Sequence, residues 1–202
     1  KFKTPTVEST GTGGGLKIFC GGTGVNYPDI ANASRKIKPT EVKDCASSGV
    51  KDLVEVKIGF DGIVLAQARQ DKTVEFSRKD RYLGLAKQIP DTDCQEWDQV
   101  NPSLPNAKIE VMGPPTSSGT RDAFAELVME AGCNEFDWLK DWKKKNEAEY
   151  KRMCQTMRED GLYVEAGEND NLIVQKLKTK PGAFGIFGYS FLDANRDVIT
   201  AS

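Results

Sequence analysis

The stretch GPPTSSGTRDAF, Gly113 to Phe124, constrains the fold more than any other, because it joins a strand pattern to a helix pattern across a very short corner. The preceding AKIEVM alternates as a strand does, while Phe124, Leu127, Val128 and Ala131 recur at helical spacing. Pro114 and Pro115 stop the strand, Ser117 or Ser118 serves as N-cap, and Gly132 is expected to close the helix. Such a start presents unpaired backbone N–H groups and the positive end of the helix dipole, where an anion is stabilised. Two more stretches set hydroxyl or glycine residues at corners of this kind: STGTGGG (Ser9 to Gly15) and ANASR (Ala31 to Arg35). Strands and helices in this alternation predict an α/β fold with a largely parallel sheet, in one domain or two small lobes.

The rest of the chain supplies the other elements. KTPTVES reads as a strand, IANAS as a short one, and TEVKDCASSG as a helix capped by Thr40 with Gly49 near its end. LVEVKIG and GIVLAQA are expected as two strands with a turn at Asp61-Gly62. SRKDRYLGLAKQ is a helix capped by Ser77, and DWLKDWKKKNEAEYKRMCQTMRE forms one helical face or two successive helices. ENDNLIVQKLKTKPG is a capped helix ended by Pro181-Gly182, and AFGIFGYSFL a glycine-bearing strand.

Several classes of function are disfavoured. The 28 basic and 30 acidic residues leave a net charge of −2, and the cations are scattered, so no nucleic-acid partner is expected. No apolar run approaches the roughly 20 residues of a membrane span. The chain has 0 histidines, which removes the usual general base and the commonest metal ligand together. With no paired-acid or zinc-protease signature either, neither an enzyme nor a cofactor or metal site is expected.

The five cysteines show no C-x-x-C spacing. Cys20 with Cys45 and Cys133 with Cys154 would each close a loop of roughly 20 to 25 residues, worth about 3 kcal/mol in the chain-entropy treatment. Both disulfides are expected, the alternative being buried thiols in a reducing compartment, and Cys94 is left over. The chain opens at Lys1 without initiator Met or leader, which reads as a mature or cropped fragment.

Taken singly, each corner has a plain structural reading. The glycines at 11, 13, 14 and 15 can serve turn geometry alone. STGTGGG is neither a Walker A loop nor a G-x-G-x-x-G fingerprint, since Leu16 stands at the third glycine position. SSGTR is either an N-cap beside a surface arginine or an oxyanion cradle built from the Ser118 and Thr120 hydroxyls, the Gly119 amide and the Arg121 guanidinium. Arg35 is either a solvated charge or a second cation for that cleft.

In this order, ESTGTGGG, DIANASR, GPPTSSGTRDAF, GENDNLIVQKL and GAFGIFGYSFL resemble the periplasmic phosphate-binding proteins that feed bacterial phosphate ABC transporters. The resemblance spans nearly the whole chain. It implies a type II, two-lobe periplasmic binding fold with mixed, mostly parallel sheets and flanking helices. Residues 1–61 would be part of lobe one, lacking its first strand-helix unit and its C-terminal return, and 62–202 would be lobe two, with the crossover near Ile58 to Val64. It implies phosphate ligands at Thr12, Ser34, Ser118, Gly119 and Thr120, a membrane permease as partner, and a periplasmic, secreted or cell-surface location.

The sequence departs from that family at two site positions. Where many members carry an aspartate after Ala33-Ser34, this chain has Arg35, and the ligand arginine expected four residues before Ser118 falls on Pro114. Arg35 and Arg121 are therefore expected to carry the positive charge, with sulfate rejection weakened by the missing carboxylate. The functional expectation is high-affinity phosphate binding in an interlobe cleft and delivery to the permease, without turnover. Receptors for sulfate, arsenate or molybdate are the alternative within binding proteins, with a phosphate-ester hydrolase and an adhesion role as readings from other classes.

Overall fold

The computed structural model describes residues 11–60, 62–89, 93–167 and 169–202. Two helices come first, α1 (Gly11–Phe19) and α2 (Pro39–Ser47). Then follow β1 (Ile63–Ala68), α3 (Arg78–Leu85), α4 (Trp97–Val100), β2 (Val111–Gly113) and α5 (Gly119–Phe124). A π-helical turn at Ala125–Met129 carries α5 directly into α6 (Glu130–Cys133). The remaining elements are α7 (Asp137–Lys145), α8 (Glu147–Gln155), β3 (Tyr163–Glu165), α9 (Asp170–Thr179), β4 (Phe184–Gly188), α10 (Tyr189–Ala194) and β5 (Ile199–Ala201).

The strands form one mixed sheet in the order β3-β2-β4-β1-β5. β2 runs parallel to β3 and β4, whereas β1 runs antiparallel to β4 and β5. Both faces are covered, and the alternation of each strand divides its side chains between two cores. Leu65, Val111, Phe184 and Ile186 join Tyr82, Trp97, Phe124, Met129, Leu139 and Tyr150 from α3 to α8. Ala66, Met112 and Phe187 face the other way, onto Ile173, Val174 and Leu177 of α9 and Leu192 of α10. The buried, unbroken apolar run of β4 is the pattern that a strand covered on both faces requires.

Both expected disulfides are present: Cys20–Cys45 ties the end of α1 to α2, and Cys133–Cys154 ties α6 to α8. Cys94 is free, and partial burial pushes its thiol pKa up.

Several local expectations need correction. IANAS and LVEVKIG form no strand, and of the run between Leu53 and Phe60, Val54, Val56, Ile58 and Phe60 stand exposed. Period-2 alternation makes a strand only where a neighbour takes up its backbone groups. α2 starts one residue before Thr40: Lys38 is its N-cap, Pro39 occupies the first turn, and Glu41 accepts the Lys38 N–H at 2.8 Å. Gly132 lies inside α6 and Asn134 caps it; a Cβ on Gly132 would overlap the Arg78 carbonyl, so this glycine serves helix packing. AFGIFGYSFL is a strand only to Gly188 and then turns into α10. The long amphipathic segment takes the second of its two expected forms, two successive helices broken at Asn146, whose side chain caps the second by accepting the Glu149 N–H at 3.1 Å. The strand expected at KTPTVES, the first half of the STGTGGG corner and Asp61 lie outside the described residues.

Candidate functional site

The GPPTSSGTRDAF corner is built by local chemistry. β2 ends at Gly113, the Ser118 N–H donates to the Pro115 carbonyl at 3.0 Å, and α5 begins. Ser118 is the N-cap: its Oγ accepts the Thr120 N–H at 3.2 Å. Ser118 and Gly119 are buried and Thr120 half-buried, so this helix start faces protein.

What it faces is the other two corners. Thr12, in the first turn of α1 and buried, places its Oγ1 3.1 Å from the Ser34 Oγ and accepts the Ser34 N–H at 3.1 Å. A Cβ on Gly119 would overlap both hydroxyl oxygens, so glycine is the residue that lets the α5 start approach them. Three segments distant in sequence thus bring Thr12, Ser34, Ser118 and Gly119 together, with the first turns of α1 and α5 side by side.

Arg35, expected as a second cation for the cleft, is gripped by two carboxylates. Its Nη1 and Nη2 donate to the Glu41 carboxylate at 2.9 and 2.8 Å, and its Nε donates to Asp122 Oδ2 at 2.8 Å. Nη1 also donates to the Lys36 carbonyl at 3.1 Å. Lys38 adds its Nζ to the same Asp122 oxygen at 3.3 Å. These hydrogen bonds raise the Arg35 pKa and, chiefly through the Arg35 fork, hold the Glu41 carboxyl below its ordinary 4.5. Sequence reading missed Glu41 and Asp122 as partners; the signal available was the acidic third residue after Lys38, which marks a helix start and turns Glu41 back toward the loop.

Arg121 stands in the opposite electrostatic situation. Its guanidinium lies 4.3 Å over the Tyr163 ring, and Nη1 donates to the Pro114 carbonyl at 3.3 Å, an oxygen shared with the Tyr163 hydroxyl at 2.7 Å. Among the described residues no carboxylate comes within ion-pair distance of it, although it is only 9% exposed. Arg158, also buried at 7% exposure, has Asp160 on its fork. Arg121 lines a cavity of about 230 Å³ together with Lys38, Thr116, Gln155, Thr156 and three carboxylates, Asp122, Glu126 and Glu159. Asp122 is engaged by Arg35 and Lys38 and Glu159 by Lys87, while Glu126 enters no ion pair among the described residues. A buried cation without a paired counter-charge is costly, and an anion beside the Arg121 guanidinium would offset the cost. Among the described residues, no group of three or more potential ligands is placed to hold a metal ion.

Comparison with known proteins agrees in kind. Protein SphX of Synechococcus elongatus is 30% identical over 198 residues, covering 97% of this chain and 49% of its own length. The phosphate-binding protein PstS of Staphylococcus saprophyticus is 31% identical over 197 residues, covering 96% of this chain and 50% of its own length. The chain therefore spans about half the length of the curated relatives it matches. The crystal structure of a possible phosphate-binding protein from Planctomyces limnophilus superposes with a TM-score of 0.54 at 27% identity, over 95% of this chain and 56% of that one. Residues 1–201 match the family described as the PBP superfamily domain, and the chain belongs to that superfamily.

Proposed function

We propose that the chain forms an anion-binding part of a non-enzymatic phosphate receptor, which captures inorganic phosphate outside the cytoplasmic membrane and passes it to an ABC permease. Residues 1–61 belong to one lobe and 62–202 to the other, with the ligand bound where their corners meet. Thr12, Ser34, Ser118 and Thr120 offer hydroxyls, Gly119 an amide and Arg121 the charge, while Arg35 supports the site from behind. The observation that carries this reading is Arg121: a buried guanidinium in the first turn of the helix whose start meets the Thr12 and Ser34 hydroxyls, over an aromatic ring and, among the described residues, with no carboxylate within ion-pair distance. Relatives named as phosphate-binding proteins support the choice of anion. The two disulfides support an oxidising compartment. No helix among the described residues is long and apolar enough to cross a membrane.

Calorimetric titration of ligand-stripped protein with phosphate, and then with sulfate, tests the reading. Phosphate binding is expected, and Arg121→Ala should weaken it by about ten- to a hundredfold, the worth of a charge-assisted hydrogen bond. Equal binding of sulfate would widen the ligand to tetrahedral oxyanions. An unchanged affinity in Arg121→Ala would remove the central observation.

A further inference from the structure

The Arg35 network crosses the boundary between the two parts of the chain, and its two carboxylates lie on opposite sides of it. Glu41 belongs to α2 and takes the end of the guanidinium fork; Asp122 belongs to α5 and takes Nε, together with Lys38 Nζ. The Arg35 side chain is only 8% exposed and that of Asp122 27%, so their bond is partly shielded from water and salt. Asp122 lies in the first turn of α5, directly after Arg121, and Ser34 directly precedes Arg35 in the loop. Ser34 in turn is bonded to Thr12 through both its hydroxyl and its amide.

We propose that Asp122 is a positioning residue: by gripping Arg35 and Lys38 it latches the loop carrying Ser34, and through it Thr12, against the α5 start, and so sets the geometry of the anion site without touching the anion. The inference rests on the anion-site reading above. It has a sign that a simple field effect lacks. A carboxylate acting only through its charge repels an anion, so removing it would tighten binding. A latch, when removed, loosens binding, and it does so by speeding dissociation, because the groups that enclose the ligand are no longer held.

The test uses Asp122→Asn and Asp122→Glu in the full 202-residue chain. Glu41 still satisfies two of the Arg35 donors in Asp122→Asn, so the variant keeps its buried guanidinium paired. Phosphate affinity in Asp122→Asn is expected to fall by about tenfold, carried by the dissociation rate, with most of the loss recovered in Asp122→Glu. Hydrogen exchange on the ligand-free proteins supplies a readout independent of phosphate. Amides of residues 34–38 should exchange faster in Asp122→Asn and recover in Asp122→Glu. If the unaltered protein binds no phosphate, the receptor reading fails, and the latch is decided by exchange alone: faster exchange at 34–38 supports it and unchanged exchange overturns it. If phosphate does bind, then tighter binding, an effect confined to association, or affinity within twofold overturns the latch.

Discussion

Residues 11–60 and residues 62–202 are held together by different physics. The second region has a five-stranded sheet with an apolar core on each face, and Trp97, Tyr82, Tyr150, Phe124 and Phe187 are all fully buried there. The first has two short helices, and its buried apolar residues are Leu16, Cys20 and Cys45. Its order comes instead from a disulfide, a hydroxyl pair and a set of charge-assisted hydrogen bonds. Several of its large apolar side chains stand outside, among them Phe60 at 91% and Ile58 at 94% exposure. Hydrophobic burial fixes the scaffold of the site, whereas covalent and polar bonds fix what is presented to it.

The largest effects should separate the regions by apolar truncation. Phe187→Ala, in the second region and fully buried, should cost about 3–5 kcal/mol in urea denaturation. Phe60→Ala, in the first, should stay within about 0.5 kcal/mol. A large loss from Phe60→Ala would break the comparison, since it would mean that the side chain is covered in solution.

Removing Cys20–Cys45 as a Ser pair should cost about 3 kcal/mol, for a sequence separation of 25. With few buried apolar contacts to compensate, the loss should be local: amides of residues 11–50 should lose exchange protection while those of β4 keep theirs. Loss of protection across the sheet as well would show the two regions to be one cooperative unit.

Acid should produce the smallest and most graded effect. The folded Glu41 carboxyl is held below its ordinary 4.5, first by the hydrogen bond from Arg35, so the unfolded chain binds its proton more readily than the folded one. The stabilisation is therefore complete above the ordinary carboxylate range and is lost as pH falls through the lowered folded value. Asp160 in the second region has the same sign through Arg158. There the surrounding core remains, so exchange at 34–41 should rise on acidification before exchange at 158–163 does. The reverse order would contradict the assignment of the first region to polar contacts.

The same division explains what could be read in the sequence. The α5 start was legible because a cap is a local device: Ser118 bonds to the N–H two residues on. The disulfides were legible from spacing, β2 from the alternation of AKIEVM, and β4 as the glycine-bearing run that opens AFGIFGYSFL. LVEVKIG was misread because alternation reports a half-buried face and says nothing of whether a neighbour is there to bury it. Gly132 was misread because a glycine near a helix end signals a cap and a close helix contact equally well. The use of Arg35 was not legible because its partners lie 6 and 87 residues away, and only the fold brings both to one guanidinium.

The π-helical turn at Ala125–Met129 has a consequence for how the α5 start is indexed to the rest of the molecule. At one end of this continuous helix Gly119 must face the two hydroxyls; at the other, Gly132 must face Arg78 and Cys133 must meet Cys154. Wound as regular α-helix throughout, the same residues would carry the far end about 100° further round the axis, the angle of one residue. The wide turn absorbs that one residue, so that each end keeps its own phase. The approach to the hydroxyls and the core packing are thereby decoupled within a single rod, and the turn between them is where a difference in chain length can be stored without moving either end.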